Sequence, residues 1–408
     1  MNETSSDVVI IGAGHGGVEL ATALRNHGFA GSLTLLSDDP DLPYQRPPLS
    51  KDYIKRAANT PALVLKPESF YADNAIDLRL GIRATGVDRE AGNVLLSDGT
   101  GIKYGHLVFA TGARNRRPPI PGLDHPDTLE LRTLADANRV IRKLEGAKRV
   151  VVIGGGFIGL EAASLLRAVD VAVDIVEMAP RLMQRAVSSV VSVWFLDHHR
   201  GEGSLVHLSS TVEAVGRNGG VAVRLSGGEV LKADAVLLAA GIEPNVELAA
   251  DCGLATDNGI VVDTLLQTFD PAISAVGDCA AYPSVHLGAM TRLESVQNAV
   301  DHARAVAERL TGQAKPYDAL PWFWSIQGAA RLQIAGLARL GLREVVRKGA
   351  DDTRFSVFMF DGAELVAVES VNSPADHMAA RRLIGSTASL TPEQAEDQTL
   401  TLKSLIPA

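Results

Sequence analysis

The chain has 408 residues, of which 46% are hydrophobic and 21% charged, with 38 glycines and a formal net charge of −9. That length exceeds one compact core and predicts two or three domains. The acidic balance argues against nucleic acid as a partner, because phosphate neutralisation needs a basic face. No stretch reaches the roughly eighteen uninterrupted apolar residues of a membrane span. The opening "MNETSSDVVII" carries no basic segment or cleavage site before its first strand, so a cytoplasmic location is expected. Cys252 and Cys279 are the two cysteines, far apart in small-residue surroundings. Two buried thiols are expected, with no disulfide, metal cage or CxxC pair.

Residues 8–24, "VVIIGAGHGGVELATAL", predict a strand, a glycine turn and a helix, and "SLTLLSDDP" predicts the next strand. Gly12, Gly14 and Gly17 form GxGxxG in that strand–turn–helix context. Missing side chains there permit the tight turn, the approach of a pyrophosphate and close helix packing, while helix N-terminal amides face the phosphates. An acidic residue ending the second strand binds ribose hydroxyls in such units. Ser37 and Asp38 share that place; Asp38 is the ribose candidate, with a turn cap as its alternative reading. "NVLLSDGTGIKYGHLVFATGA" then predicts two strands around a turn, ending in the small residues Ala110, Thr111 and Gly112, where a cofactor can approach the backbone.

Residues 150–166, "VVVIGGGFIGLEAASLL", repeat the first unit, with Gly154, Gly156 and Gly159 in place of its glycines and Glu161 in register with Glu19. Glu177 ends the second strand of this copy. A carboxylate there repels a 2′-phosphate and favours NADH over NADPH, although Arg181 and Arg185 just downstream leave NADPH open. "AVRLSGGEVLKADAVLLAAGIEPN" parallels the passage that followed the first unit, so the duplication spans whole domains, and the chain returns to the first near Gly241. In "SAVGDCA", Gly277 and Asp278 are read at a helix start, where the carboxylate can both cap and bind a polyol. After residue 316, "RLQIAGLARL" and a hairpin around Asp361 and Gly362 predict strands, and "PADHMAARRLIG" a helix.

The expected fold is α/β: two doubly wound Rossmann-like dinucleotide-binding domains plus a small α+β C-terminal domain. The expected divisions are 1–112 and 241–315 for an FAD-binding domain, 113–240 for an NAD-binding domain, and 316–408 for the C-terminal domain. Two dinucleotides in one chain imply an electron relay, in which diffusible NADH delivers hydride to a resident FAD in the first site.

The segments "LPYQRPPLSKDYI", "ATGARNRRPPIPG", "IGGGFIGLEAA", "GIEPN", "AVGDCA", "RLESVQNAVDHA" and "PWFWSIQGAARLQIAG" make the chain resemble the ferredoxin reductases of bacterial oxygenases. These are of the putidaredoxin reductase and biphenyl-dioxygenase reductase type, within the glutathione-reductase-like flavoproteins. The resemblance covers essentially the whole chain. It implies that Arg46 and Lys51 contact FAD, with Lys51 near the flavin N5, and that Glu161 faces the nicotinamide and pairs with Lys51. It also places Gly16, Asp38, Ala84, Thr111, Arg132, Asp278 and Val296 at FAD positions, Trp324 beside the isoalloxazine, and Gly112 and Gly241 among the cofactor-binding residues.

Some of these have a plainer alternative from the residues alone, and Trp322 beside them is read as packing. Lys51 suits a surface turn, Glu161 a helix dipole and Arg132 a solvated helix start. The family often has aspartate after the serine of this motif, whereas this chain has Ile326, which puts a polar role there in question. Relatives that reduce disulfides carry a redox cysteine beside the flavin, yet none occurs here before Cys252.

The resemblance implies an NADH:ferredoxin oxidoreductase passing electrons to an iron–sulfur ferredoxin, of the acidic two-iron type, for a haem monooxygenase or Rieske-type dioxygenase. Lys51 and Glu161 are its catalytic pair, and a monomer or weak homodimer is expected. Arg331, Arg339, Arg343, Arg347, Lys348 and Arg354 form a basic excess that can steer such a partner or simply be solvated. The alternatives are a rubredoxin or quinone reductase of the same fold, or a flavin-bound signalling protein resembling apoptosis-inducing factor.

Overall fold

The computed structural model describes residues 3–51, 53–54, 60–217, 220–386 and 388–406. It divides into two compact units, one of Met1–Gln45, Thr60–Arg114 and Ile242–Ala319, the other of Arg46–Asn59, Asn115–Gly241 and Leu320–Ala408.

In the first unit, Glu3–Ile11 runs parallel to Leu33–Leu36 on one side and Gly101–Phe109 on the other. Ile76–Arg79 extends the sheet beyond Leu33–Leu36, and Ile273–Ala275 pairs in parallel with Gly101–Phe109. Val8, Val9, Ile10 and Ile11 are buried in an unbroken run, as expected of a central parallel strand covered on both faces. The helices His15–Asn26 and Val296–Leu310 belong to this unit, and Gly16 faces Ala299 of the second with room for nothing larger than a methyl group. A salt bridge from Arg304 to Glu19 spans the same pair of helices at 2.6 Å.

The second unit repeats the plan in the parallel order Leu205–His207, Ala172–Val176, Arg149–Ile153, Ala235–Leu238, Thr128–Leu129. A three-stranded antiparallel meander, Val212–Arg217, Val221–Leu225 and Val230–Ala233, stands beside it. The same unit contains a five-stranded antiparallel sheet in the order Trp322–Gln327, Ala330–Gly336, Glu364–Val371, Phe355–Asp361, Arg343–Lys348. The expected hairpin turn lies between Asp361 and Glu364, with Gly362 at φ +60°. The helix Pro374–Leu383 packs its Ala379, Ala380 and Leu383 on this sheet with Phe358, Phe360 and Val368. Among the described residues, no helix is long and apolar enough to cross a membrane.

One expected element differs. Asp278 does not open an α-helix: Gly277–Cys279 is a single 3-10 turn that runs straight into the strand Ala280–Ser284, and its N-cap is Val276, with no side-chain cap. The small residues of "GDCAA" suit a tight crossing, and the next helix begins only at Val296, capped by Ser295.

Candidate functional site

The two glycine turns share one geometry. Gly12 and Gly154 have φ of +111° and +112°, a region closed to side chains, and a Cβ on either would collide with the carbonyl of Ala110 or Ala239. A Cβ on Gly17 or Gly159 would strike the carbonyl of Gly12 or Gly154, so these glycines let the helix approach the strand end. Gly14 and Gly156 are different: nothing lies within 4 Å of where their Cβ would stand. Their missing side chains satisfy no protein contact and leave space for a ligand.

The helices that follow, His15–Asn26 and Phe157–Arg167, have glycine N-caps, no side-chain cap and no acid in the first turn. The helices Leu134–Leu144, Ser189–Gly201 and Val296–Leu310 are instead capped by Thr133, Ser188 and Ser295. Two helix ends without a side-chain cap and with positive dipoles suit two pyrophosphates, so the donor set fits FAD and NAD(H).

At the second turn Glu177 is fixed by its own neighbours. Its Oε2 accepts from the Gly155 amide and its Oε1 from the Ala179 amide, both at 2.7 Å. Each oxygen retains a lone pair for a ribose hydroxyl beside the glycine turn. Arg181 is spent on backbone, donating to the carbonyls of Gln184, Val187 and Ser188, whereas Arg185 is exposed. In the first unit Asp38 is exposed after its strand and pairs with Arg83 at 2.8 Å. The turn is capped by other residues, since Ser37 accepts from the Asp39 amide and Asp39 from that of Asp41. Asp38 therefore does not act as the cap.

The remaining first-unit candidates lie around the sheet's C-terminal edge or on its flank. Thr111 donates to the Asn245 carbonyl at 2.7 Å, Gly112 turns with φ +64°, and Ala84 starts the buried end of Ala84–Asp88. The Gly277 amide donates to Nδ1 of the wholly buried His302, whose imidazole is pushed down to about 3 by burial. Asp278 follows, and Val296 opens its helix.

In the second unit, Arg46 precedes the 3-10 turn Pro47–Ser50, whose prolines preset φ, and Lys51 follows it. Lys51 Nζ meets Glu161 Oε2 at 2.6 Å. Glu161 is buried and accepts three further hydrogen bonds: Ser50 Oγ at 2.9 Å, Ser325 Oγ at 2.8 Å and the Ile326 amide at 3.2 Å. The polar contact at Ile326 is thus made by its backbone, which any residue there can supply, while its side chain is 40% exposed. Trp324 stacks on Trp322 at 5.4 Å. Trp322 packs on the C-terminal core with the Arg381 guanidinium over its ring, 4.3 Å from the centroid, in keeping with its expected packing role. Arg132 stands immediately before the capping box of Thr133 and Asp136. Gly241, at φ +94°, lies beside Arg185.

Sequence reasoning missed Ser50, Ser325 and Gln327, although all three stand inside motifs it quoted; their signal was a polar residue next to Lys51 or Trp324, or three places beyond Trp324. It also misjudged Arg347, which is buried. Its guanidinium donates to the carbonyls of Ala395, Asp397 and Leu400 and faces Asp376, clamping the C-terminal segment, and it contributes nothing to a surface patch. Arg339, Arg343 and Arg354 are exposed but paired with Asp361, Glu393 and Asp351. Cys279 is buried but Cys252 only half-buried, and burial pushes both thiols up.

Residues 6–303 match the model of the pyridine nucleotide-disulphide oxidoreductases, and residues 322–406 that of the reductase C-terminal domain. Rhodocoxin reductase of Rhodococcus erythropolis is 47% identical over 98% of this chain and 94% of its own length. The crystal structure of the ferredoxin reductase for the CYP199A2 system from Rhodopseudomonas palustris has a TM-score of 0.95 at 47% identity, covering 98% of this chain and 100% of that one. The covalent putidaredoxin reductase–putidaredoxin complex has a TM-score of 0.94 at 36% identity, covering 98% of each chain. With two ligand-ready glycine turns and this likeness along its full length, the chain belongs to the ferredoxin reductases of the pyridine nucleotide-disulphide oxidoreductase family.

Proposed function

We propose that this protein is an NADH-dependent, FAD-containing ferredoxin reductase of an oxygenase system, working in the cytoplasm where NADH is available. The observation that carries the reading is the pair of uncapped glycine-turn helices, each with a side-chain-free position open to a ligand. In this reading residues 1–112 and 241–315 form the FAD domain, 113–240 the NAD domain and 316–408 the C-terminal domain. Gly12, Gly14, Gly16, Asp38, Ala84, Thr111, Gly112, Asp278 and Val296 hold FAD, joined by Arg46, Lys51, Arg132 and Trp324. Gly154, Gly156, Gly159, Glu177 and Gly241 hold NADH.

When bound, FAD would supply two-electron chemistry toward NADH and one-electron chemistry toward an iron–sulfur acceptor. The protein's part is alignment and electrostatics. The Gly154–Gly159 turn fixes the pyrophosphate, and Glu177 takes the ribose hydroxyls and repels a 2′-phosphate. The Lys51 ammonium offsets negative charge on the reduced ring, and Glu161 holds that ammonium in place. The partner is a two-iron ferredoxin.

The test is steady-state NADH oxidation, first with ferricyanide and then with two-iron ferredoxins. Turnover through a ferredoxin is expected. Fast ferricyanide reduction with every ferredoxin inert would remove the ferredoxin assignment while leaving a flavoprotein reductase.

A further inference from the structure

The hydrogen bonds that end at Glu161 begin deep in the second unit, at His199. This residue of the helix Ser189–Gly201 has no exposed surface, and its Nε2 lies 2.9 Å from Gln327 Oε1. Gln327, equally buried at the end of Trp322–Gln327, sets its amide nitrogen 3.2 Å from Ser325 Oγ. Ser325 Oγ in turn stands 2.8 Å from Glu161 Oε1. The chain is therefore His199, Gln327, Ser325, Glu161, Lys51.

Its direction follows from counting donors. Burial pushes the His199 imidazole below its ordinary value, so the ring is neutral and carries one proton. Nδ1 is buried and has no hydrogen-bond partner among the described residues. A proton placed there would be an orphaned donor, whereas on Nε2 it donates to Gln327 Oε1. The Gln327 carbonyl is then taken, and the amide N–H is what faces Ser325. A serine hydroxyl that accepts from Gln327 has its own proton left for Glu161. The flipped amide would present its carbonyl to Ser325 and draw that proton away, leaving Glu161 Oε1 with the Ile326 amide alone. His198 donates to the Gln327 backbone carbonyl at 3.0 Å, so the backbone of this residue is pinned as well.

We propose that Gln327 is a positioning residue for hydride transfer: its amide keeps the Ser325 hydroxyl donating to Glu161 and so fixes the carboxylate that holds Lys51. The inference rests on the role given above to Lys51. The Gln327 side chain bonds His199, Met183 and Ser325 and not Lys51, and it acts on that lysine through two intervening groups. Each link is short and one-way, so removing it leaves a buried hydroxyl free to rotate away from the carboxylate.

The experiment compares Lys51→Met, Gln327→Met and the double variant as FAD-loaded enzymes. Three quantities are read: the limiting rate and NADH dissociation constant from stopped-flow flavin reduction, the flavin midpoint potential, and the thermal midpoint. Gln327→Glu is carried alongside, since it keeps the size and still accepts from His199 but competes for the Ser325 proton. The expected result is a limiting rate lowered roughly tenfold in both Gln327 variants, with little change in the NADH dissociation constant. The potential moves to a more negative value, in the same direction as in Lys51→Met. The double variant is no slower than Lys51→Met, because both act on one interaction. A slow Lys51→Met beside Gln327 variants of wild-type rate and potential overturns the positioning role alone. So does a Gln327→Met whose thermal midpoint alone moves. A Lys51→Met that reduces its flavin at the wild-type rate overturns the Lys51 reading itself, and this inference with it.

Discussion

Each glycine of the two fingerprints has its own physical task, and substitution separates them. Gly156 has φ −85° with open space beyond its Cα, so Gly156→Ala is expected to leave stability within about 0.5 kcal/mol. The added methyl projects into the space proposed for the pyrophosphate, and the NADH dissociation constant should rise roughly tenfold or more. Titration of flavin reduction against NADH, with a denaturation curve, checks both halves. Gly12→Ala is expected to behave in the opposite way, costing more than about 1 kcal/mol of stability through its positive φ and the Ala110 carbonyl. Glu177→Ala removes the proposed ribose acceptor and releases the Gly155 and Ala179 amides. Its Michaelis constant for NADH should rise and its preference over NADPH shrink; unchanged selectivity would take Glu177 out of the ribose site. The register-matched glutamates show how context divides identical residues: Glu19 ties one helix to another through Arg304, whereas Glu161 is buried and takes Lys51.

At the scale of elements, the buried Glu369 links the strand Glu364–Val371 to the N-terminus of the helix Ser189–Gly201. It accepts from the amide and hydroxyl of Ser188, that helix's cap. Burial pushes its carboxyl up to about 7, against the lowering effect of the Ser188 bonds. A folded-state value above the unfolded one means that the folded chain holds the proton more tightly. The stability this contributes is complete below the unfolded carboxyl range and is lost as pH rises through about 7, by roughly 3 kcal/mol at 1.36 kcal/mol per unit. Glu369→Gln, a mimic of the protonated form, is expected to flatten the fall in thermal midpoint between about pH 5 and 8. Parallel curves for the two proteins would show that another group dominates. Element caps carry a second lesson, since the Ser and Thr caps of Leu134–Leu144, Ser189–Gly201 and Val296–Leu310 contrast with the bare glycine ends of the fingerprint helices.

For the whole molecule, the family is named for disulfide chemistry, yet this chain holds two thiols, both outside its fingerprint segments and both pushed up by burial. Thiolate is the reactive form, so neither cysteine is primed for exchange. Treatment with N-ethylmaleimide is accordingly expected to leave NADH-dependent ferredoxin reduction within about twofold of the untreated rate. Strong inhibition accompanied by labelling of Cys252 would show a thiol in the electron path. The basic excess of the C-terminal domain is smaller than its residue count implies, because Arg347 is internal and three other arginines have acidic partners.

The strand–turn–helix repeats, the paired fingerprints, the place of Glu177 at its strand end and the C-terminal hairpin were legible in the sequence, because they depend on hydrophobic period and glycine spacing within some thirty residues. The Lys51–Glu161 pair was reachable only through resemblance, since the two residues are 110 positions apart. Ser325 and Gln327 were visible only as polar residues inside a quoted motif and His199 not at all: which hydroxyl meets which carboxylate is decided when distant segments pack and every buried donor must find an acceptor. The cap expected at Asp278 and the surface role expected of Arg347 failed for the same reason, a local pattern being outvoted by what surrounds it. Sequence determined the two dinucleotide-binding units and their glycine turns through local backbone rules. Tertiary structure alone decided which of two matching glutamates would be buried beside a lysine, because burial and partnership arise only when the chain is folded.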